Sequence, residues 1–171
     1  MLDDCDKMLS REALLARREQ WRQNGRTVVF TNGCFDILHR GHVDYLTFAR
    51  NQGDVLIVGL NADASVRRAK GPDRPVNDEA DRAAVLAALA CVDGVIIFEE
   101  DEPAALIGAL LPDVLVKGED WAHYVSGREA VEAAGGRVVL ARMTPGRSTS
   151  RLIERIRHRP QPEETPCPPP N

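Results

Sequence analysis

The chain has no apolar run long enough to span a bilayer, so membrane insertion is not expected. Asp3, Asp4 and Asp6 occupy the place where a signal peptide would carry basic residues, and no apolar stretch follows them. An excess of basic charge is missing too. Lys and Arg number 22 against 26 Asp and Glu, a net charge of −4 that argues against a nucleic-acid partner, which would want a basic face. The four cysteines, Cys5, Cys34, Cys91 and Cys167, are scattered and form no CxxC pair. That fits a reducing compartment and gives no zinc site, so the expected location is the cytoplasm and no metal-ligand set is read from the sequence.

What is present fits one domain with an adequate core. Residues 1–25 read as a lead-in, with 1–8 frayed and a helix from Ser10, whose Leu14, Leu15, Arg18 and Trp21 recur at helical spacing until Gly25. Residues 26–158 then alternate apolar, β-rich runs with helical patterns. The runs Thr27–Thr31, Val55–Leu60, Gly94–Phe98, Val114–Lys117 and Arg137–Leu140 are expected strands. Helices are expected over Gly41–Gln52, after Asp63, and over Asp78–Ala90, Pro103–Leu111, Gly127–Ala134 and Thr149–Arg157. Near-continuous apolar strands separated by helices imply an α/β fold: one doubly wound, Rossmann-like, five-stranded parallel sheet with helices on both faces. Ligands of such sheets bind at the carboxyl ends of the strands. Residues 159–171 hold six prolines and no large apolar side chain, and are expected to be a disordered tail.

The most informative stretch is Thr31-Asn32-Gly33-Cys34-Phe35-Asp36-Ile37-Leu38-His39-Arg40-Gly41-His42. It follows the apolar Val28-Val29-Phe30 and precedes an amphipathic run from Val43, so a buried strand feeds a glycine-containing turn that opens a helix. The first N–H groups of a helix lack intrahelical acceptors and lie at the positive end of its dipole, which makes the junction a phosphate cradle. His39 and His42 fall on one face of that first turn and can donate to the same anion.

Other polar segments fall at strand ends. Asn61 and Asp63 follow the second strand and either contact hydroxyls of a ligand or cap the next helix. Lys70-Gly71-Pro72-Asp73-Arg74-Pro75-Val76-Asn77 reads as a flexible basic loop able to close over a polyphosphate, with Asn77 capping the helix beyond. Lys117-Gly118-Glu119-Asp120-Trp121 ends the fourth strand, and Gly118 lets a ligand approach the backbone closely. Arg147-Ser148-Thr149-Ser150 opens the last helix, a second anion site or a plain N-cap.

The strand–GxFDxxHxGH–helix pattern resembles the HxGH nucleotidyltransferase superfamily. Longer stretches, VVFTNGCFDILHRGHVDYL, GLNADASVRRAKGPDRPVNDEADRAAVLAALACVDGVIIFEEDEP, PDVLVKGEDW and GREAVEAAGGRVVL, resemble the adenylyltransferases of ADP-heptose synthesis across about residues 8–157. The resemblance implies transfer of AMP from ATP to D-glycero-β-D-manno-heptose 1-phosphate, with Mg²⁺ accompanying ATP, a separate heptose kinase in the pathway and a homodimer. It implies His39, His42 and Lys70 as catalytic residues. It places Asn32, Gly33, Cys34, Phe35, Gly41, Lys117, Gly118, Ser148, Thr149 and Ser150 on the nucleotide. Asp36, Asn61, Asp63, Arg82, Asp120 and Arg147 are then expected on the substrate. Glycerol-phosphate cytidylyltransferases carry an arginine where this chain has Met143, and Arg147 stands where many heptose relatives have an aromatic. The competing expectations are a cytidylyltransferase for glycerol phosphate or a related acceptor, an FAD-synthetase-like adenylyltransferase, and a non-catalytic nucleotide-binding regulator.

Overall fold

A computed structural model describes residues 6–158. In chain order its elements are α1 (Arg11–Gln23), β1 (Val28–Gly33), α2 (Arg40–Arg50), β2 (Val55–Asn61), α3 (Asp63–Lys70) and α4 (Glu79–Ala87). They continue with β3 (Gly94–Phe98), α5 (Ala104–Leu110), β4 (Val114–Gly118), α6 (Arg128–Ala133), β5 (Arg137–Ala141) and α7 (Thr149–Arg157). The five strands form one parallel sheet in the order β3-β2-β1-β4-β5. This is the expected doubly wound α/β architecture.

The continuous apolar strands are explained by the two cores they serve, because successive side chains of a strand point to opposite faces. Val29, Leu56, Val58 and Leu60 pack with Leu46 and Ala49 of α2 and with Ala83, Leu86 and Ala87 of α4. Their neighbours Val28, Phe30, Val55 and Ile57 pack on the other face with Leu14 of α1, Leu106, Ile107 and Leu110 of α5, and Val131 of α6.

Several local expectations are corrected. Met8 is not frayed: it bridges Val95, Val95 N–H donates to the Lys7 carbonyl at 2.7 Å, and Leu9 N–H donates to the Val95 carbonyl at 2.9 Å. Lys70 is the last residue of α3 rather than part of the loop. Asp78, not Asn77, caps α4, accepting from Asp81 N–H at 2.9 Å. Asp63 lies inside α3, whose N-cap position is Ala62. The expected disordered tail, 159–171, lies outside the described residues.

Candidate active site

The sheet itself opens the site. β1 pairs with β2 from Val28 to Gly33 but meets β4 only at Val29–Val114 and Phe30–Leu115. Beyond Phe30 the carboxyl ends of β1 and β4 part, at the point where the strand order reverses, which is where ligands of open α/β sheets bind. Side chains bridge the gap. Tyr45 of α2 donates its hydroxyl to the Val116 carbonyl at 3.1 Å and accepts from Thr31 Oγ1 at 2.7 Å. Nearer the rim, Lys117 Nζ donates to Asn32 Oδ1 at 2.6 Å and lies 5.8 Å from the centre of the Trp121 ring. Burial pushes the Tyr45 hydroxyl up to about 12 and pulls the Lys117 ammonium down to about 8, the nearby Asp120 opposing the latter.

β1 then runs into the histidine turn. Phe35 holds a left-handed backbone, φ 44°, and its ring fills the space above Gly33, where a Cβ would lie 3.0 Å from the ring. Gly41 is equally hemmed in: a Cβ there would lie 3.0 Å from both Arg147 Cβ and His39 Cε1. His39 occupies the N-cap position of α2 and spends no side-chain bond on capping. Its ring stacks on His42 with centroids 3.9 Å apart and planes 15° apart, and His42 in turn meets the Phe35 ring edge-on at 5.3 Å. Both Nδ1 atoms are buried without a partner among the described residues, which leaves the Nε2 edge of each ring for a ligand. Burial, reinforced by His39, lowers His42 to about 4; burial and then Arg147 lower His39 as well. Both shifts favour the uncharged imidazoles, in keeping with two rings stacked face to face.

The N-terminus of α7 closes over this turn. Thr149 Oγ1 donates to the Ile37 carbonyl at 3.4 Å, and Ser148 Oγ accepts from Arg151 N–H at 3.3 Å. A pocket of about 350 Å³ is lined here by His39, Gly146, Arg147, Ser148, Arg151 and Arg155 among others. Histidine edge, serine hydroxyl, helix N–H groups and three guanidinium groups suit the outer phosphates of a nucleotide. A larger hollow of about 780 Å³ beside β3, lined by Met8, Leu9 and Ile97 among others, contains none of the motif residues, so chemistry and not size locates the site.

The residues expected on the substrate divide into two groups. Arg147 lines the pocket beside His39, and exposed Asp120 sits beside Lys117 at the crevice rim. The Arg82 side chain is 0% exposed and is turned inward, donating to the carbonyls of Cys34, Asn61 and Asn77 at 2.6, 2.9 and 3.0 Å and to Asp63 Oδ1 at 2.7 Å. Asp63 is thereby taken up by Arg82, and buried Asn61 donates to Ser65 Oγ at 3.0 Å. Asp36 is also 0% exposed and accepts from Arg74, Val76 N–H and Asn77 N–H. In this structure these four belong to the frame under the histidine turn, engaged with partners inside the protein. Gly118 is likewise a packing position: it precedes the one-turn helix Glu119–Trp121, and a Cβ on it would collide with Asp120 and press on the Met143 sulfur. Lys70 is exposed and, by charge, the first of the cations acting on the Cys34 thiol, which burial pushes up. Two residues of the site carry no mark in the sequence: Tyr45 sits in an amphipathic run, and Arg74 in a proline-containing loop.

Known proteins resemble this chain in sequence and fold. The cytidylyltransferase-like family matches residues 30–159. The chain is similar to the bifunctional protein HldE of Mesorhizobium japonicum, 61% identical over 138 residues that are 80% of this chain and 28% of that protein. The bifunctional protein HldE of Syntrophotalea carbinolica is 54% identical over 91% of this chain and 32% of its own length. The chain thus spans about a third of the length of these curated relatives. A lipopolysaccharide core biosynthesis protein from Thermoplasma volcanium superposes with a TM-score of 0.58 at 30% identity, over 70% of this chain and 98% of that one. A pantoate-beta-alanine ligase from Francisella tularensis, 15% identical with a TM-score of 0.59 over 84% of this chain and 68% of its own, shares the fold.

Proposed function

The chain belongs to the cytidylyltransferase-like family and is a nucleotidyltransferase, and from that premise we propose that it transfers AMP from ATP to D-glycero-β-D-manno-heptose 1-phosphate, giving ADP-heptose and pyrophosphate. The observation that carries this reading is the meeting of two helix N-termini, α2 and α7, around one pocket edged by His39. The heptose acceptor is favoured by the likeness to HldE proteins and to a lipopolysaccharide core biosynthesis protein. Met143 supports it: its sulfur packs toward Gly118 where an acceptor-binding arginine would mark the glycerol-phosphate enzymes.

The mechanism follows from charge. A sugar phosphate has its second pKa near about 6 and is already a dianion at neutral pH, so no general base is required. A phosphate oxygen of the acceptor attacks the α-phosphorus of ATP, the bond from that phosphorus to the bridging oxygen breaks, and pyrophosphate leaves with the electron pair. Positioning and electrostatic stabilisation supply the rate enhancement. His39 and His42 present their Nε2 edges to the α- and β-phosphates, and Lys70 neutralises charge as it develops. Ser148, Thr149 and the arginines beside them hold the outer phosphates, while Asn32 and Lys117 line the crevice toward the nucleoside or acceptor. The residues at hand suit anions more than a cation, since no group of three metal-ligating side chains occurs among the described residues. Mg²⁺ would arrive with ATP and would offset triphosphate charge, the histidines, Lys70 and the α7 residues meeting the nucleotide and not the ion. A heptose kinase would supply the acceptor.

Pyrophosphate release with heptose 1-phosphate and Mg²⁺, compared across ATP, CTP and GTP, tests the assignment. Release with ATP alone, lost when glycerol 3-phosphate replaces the sugar, is the expected result. Release only with CTP, or only with glycerol 3-phosphate, would move the protein to a sister activity on the same site.

A further inference from the structure

The segment that carries Lys70 is clasped to the histidine turn at a single carboxylate. Arg74 Nε donates to Asp36 Oδ2 at 2.6 Å, with side chains 16% and 0% exposed. Val76 and Asn77 N–H groups donate to Asp36 Oδ1 at 2.8 and 3.0 Å, and Asn77 Nδ2 donates to the Asp36 carbonyl at 2.7 Å. Asp36 lies in the same turn as His39. A bare carboxylate there would repel a polyphosphate; the guanidinium and two N–H groups cancel it.

The clasp reaches Lys70 through one tight turn. Gly71 follows Lys70 with φ 96°, a conformation open to glycine, and Arg74 N–H donates back to the Gly71 carbonyl at 3.2 Å. Asn77, at the far end, is held by Arg82, which also grips the Cys34 carbonyl of the histidine turn. Lys70 itself makes no ion pair among the described residues; its backbone is held on one side by α3, where Gly71 N–H donates to the Arg67 carbonyl at 3.0 Å, and on the other by the loop that Arg74 anchors.

We propose that Arg74 is a positioning residue for nucleotidyl transfer: its ion pair with Asp36 holds the Lys70 segment against the histidine turn and so sets where the Lys70 ammonium meets the phosphates. This rests on the nucleotidyl-transfer reading above. Arg74 touches no reacting atom and acts through Lys70.

A double-mutant cycle tests it, with kcat and KM measured by pyrophosphate release for the wild type, K70A, R74A and K70A/R74A. Misplacing a catalytic group by about an ångström costs on the order of 100-fold, so R74A is expected to lower kcat roughly 10- to 100-fold with little change in the KM for ATP. In the K70A background the same substitution should cost less than about threefold, because the group it positions is already gone. Equal losses in both backgrounds, or a loss confined to KM, would overturn the proposal. R74Q keeps hydrogen-bonding capacity without charge and serves if R74A does not fold. A second readout needs no activity: trypsin cleavage of the Lys70–Gly71 bond, followed by mass spectrometry. The Arg74–Pro75 bond resists trypsin, so removing Arg74 leaves the set of cleavage sites unchanged. Faster cleavage in R74A and R74Q is expected, and unchanged cleavage would sink the clasp. If the wild type releases no pyrophosphate from any nucleoside triphosphate, nucleotidyl transfer fails as a reading while the cleavage comparison still reports on the clasp.

Discussion

His39 and His42 carry the chemistry in the proposed mechanism, and their charge state follows from their surroundings. His42 falls from an ordinary 6.5 to about 4, chiefly through burial. As the pH drops, the unfolded chain takes up this proton before the folded one does. The contribution is therefore complete above about pH 6.5 and is lost as the pH falls towards 4. Urea unfolding of the wild type between those values should show declining stability, with a shallower decline in H42A; parallel slopes would contradict the burial argument. H42A should also fold yet lose at least about 100-fold in turnover, the order expected when a preorganised donor is removed. The histidines were legible in the sequence because strand, glycine turn and helix surround them there. The internal partners of Arg82, Asp36, Asn61 and Asp63 were not legible in it, for a different reason. A polar residue at a strand end looks the same whether its partner is a ligand or a backbone carbonyl, and only three-dimensional placement shows that Arg82 meets Cys34, Asn61 and Asn77.

Among the elements, the strands were the most legible, since apolar β-rich runs need only be counted. Helix ends were less so: Asp78 took the cap expected of Asn77 because Asn77 was drawn to Asp36. The join of α1 to α5 was invisible. Buried Arg18 of α1 donates to the carbonyls of Leu110 and Leu111 at 3.2 and 2.8 Å and to Asp113 Oδ1 at 2.9 Å, capping α5 where Leu111 turns left-handed. R18A should cost roughly 2–3 kcal/mol, because three acceptors lose their donor. Its kcat should be unchanged, since Asp113 precedes β4 at the amino end of the sheet, opposite the pocket. A drop in turnover at full folding would mean that the two ends of the sheet communicate.

At the scale of the molecule, the alternation of strands and helices implied a parallel sheet, but not the strand order. The split between β1 and β4 depends on which strands become neighbours, and that is decided by packing among distant segments. Because the pocket proposed to hold the outer phosphates joins α2 to α7, its occupancy should stabilise the whole fold. ATP at 100 times its dissociation constant would add about 2.7 kcal/mol, visible as a higher melting temperature. The gain should shrink in S148A, which removes the α7 cap; an equal gain would place the triphosphate elsewhere.

The stacked imidazoles have one further consequence. They lie 3.9 Å apart in surroundings that favour the neutral form, whereas the ligand of the proposed mechanism is a polyanion that favours their protonated forms. Binding should therefore draw protons from solution. Near pH 6, calorimetric heats of ATP binding should differ between buffers of high and low ionisation enthalpy, and the dependence should fade in H42A. The two rings would then make the enzyme's grip on its nucleotide stronger as its surroundings acidify, within the range where the fold still holds.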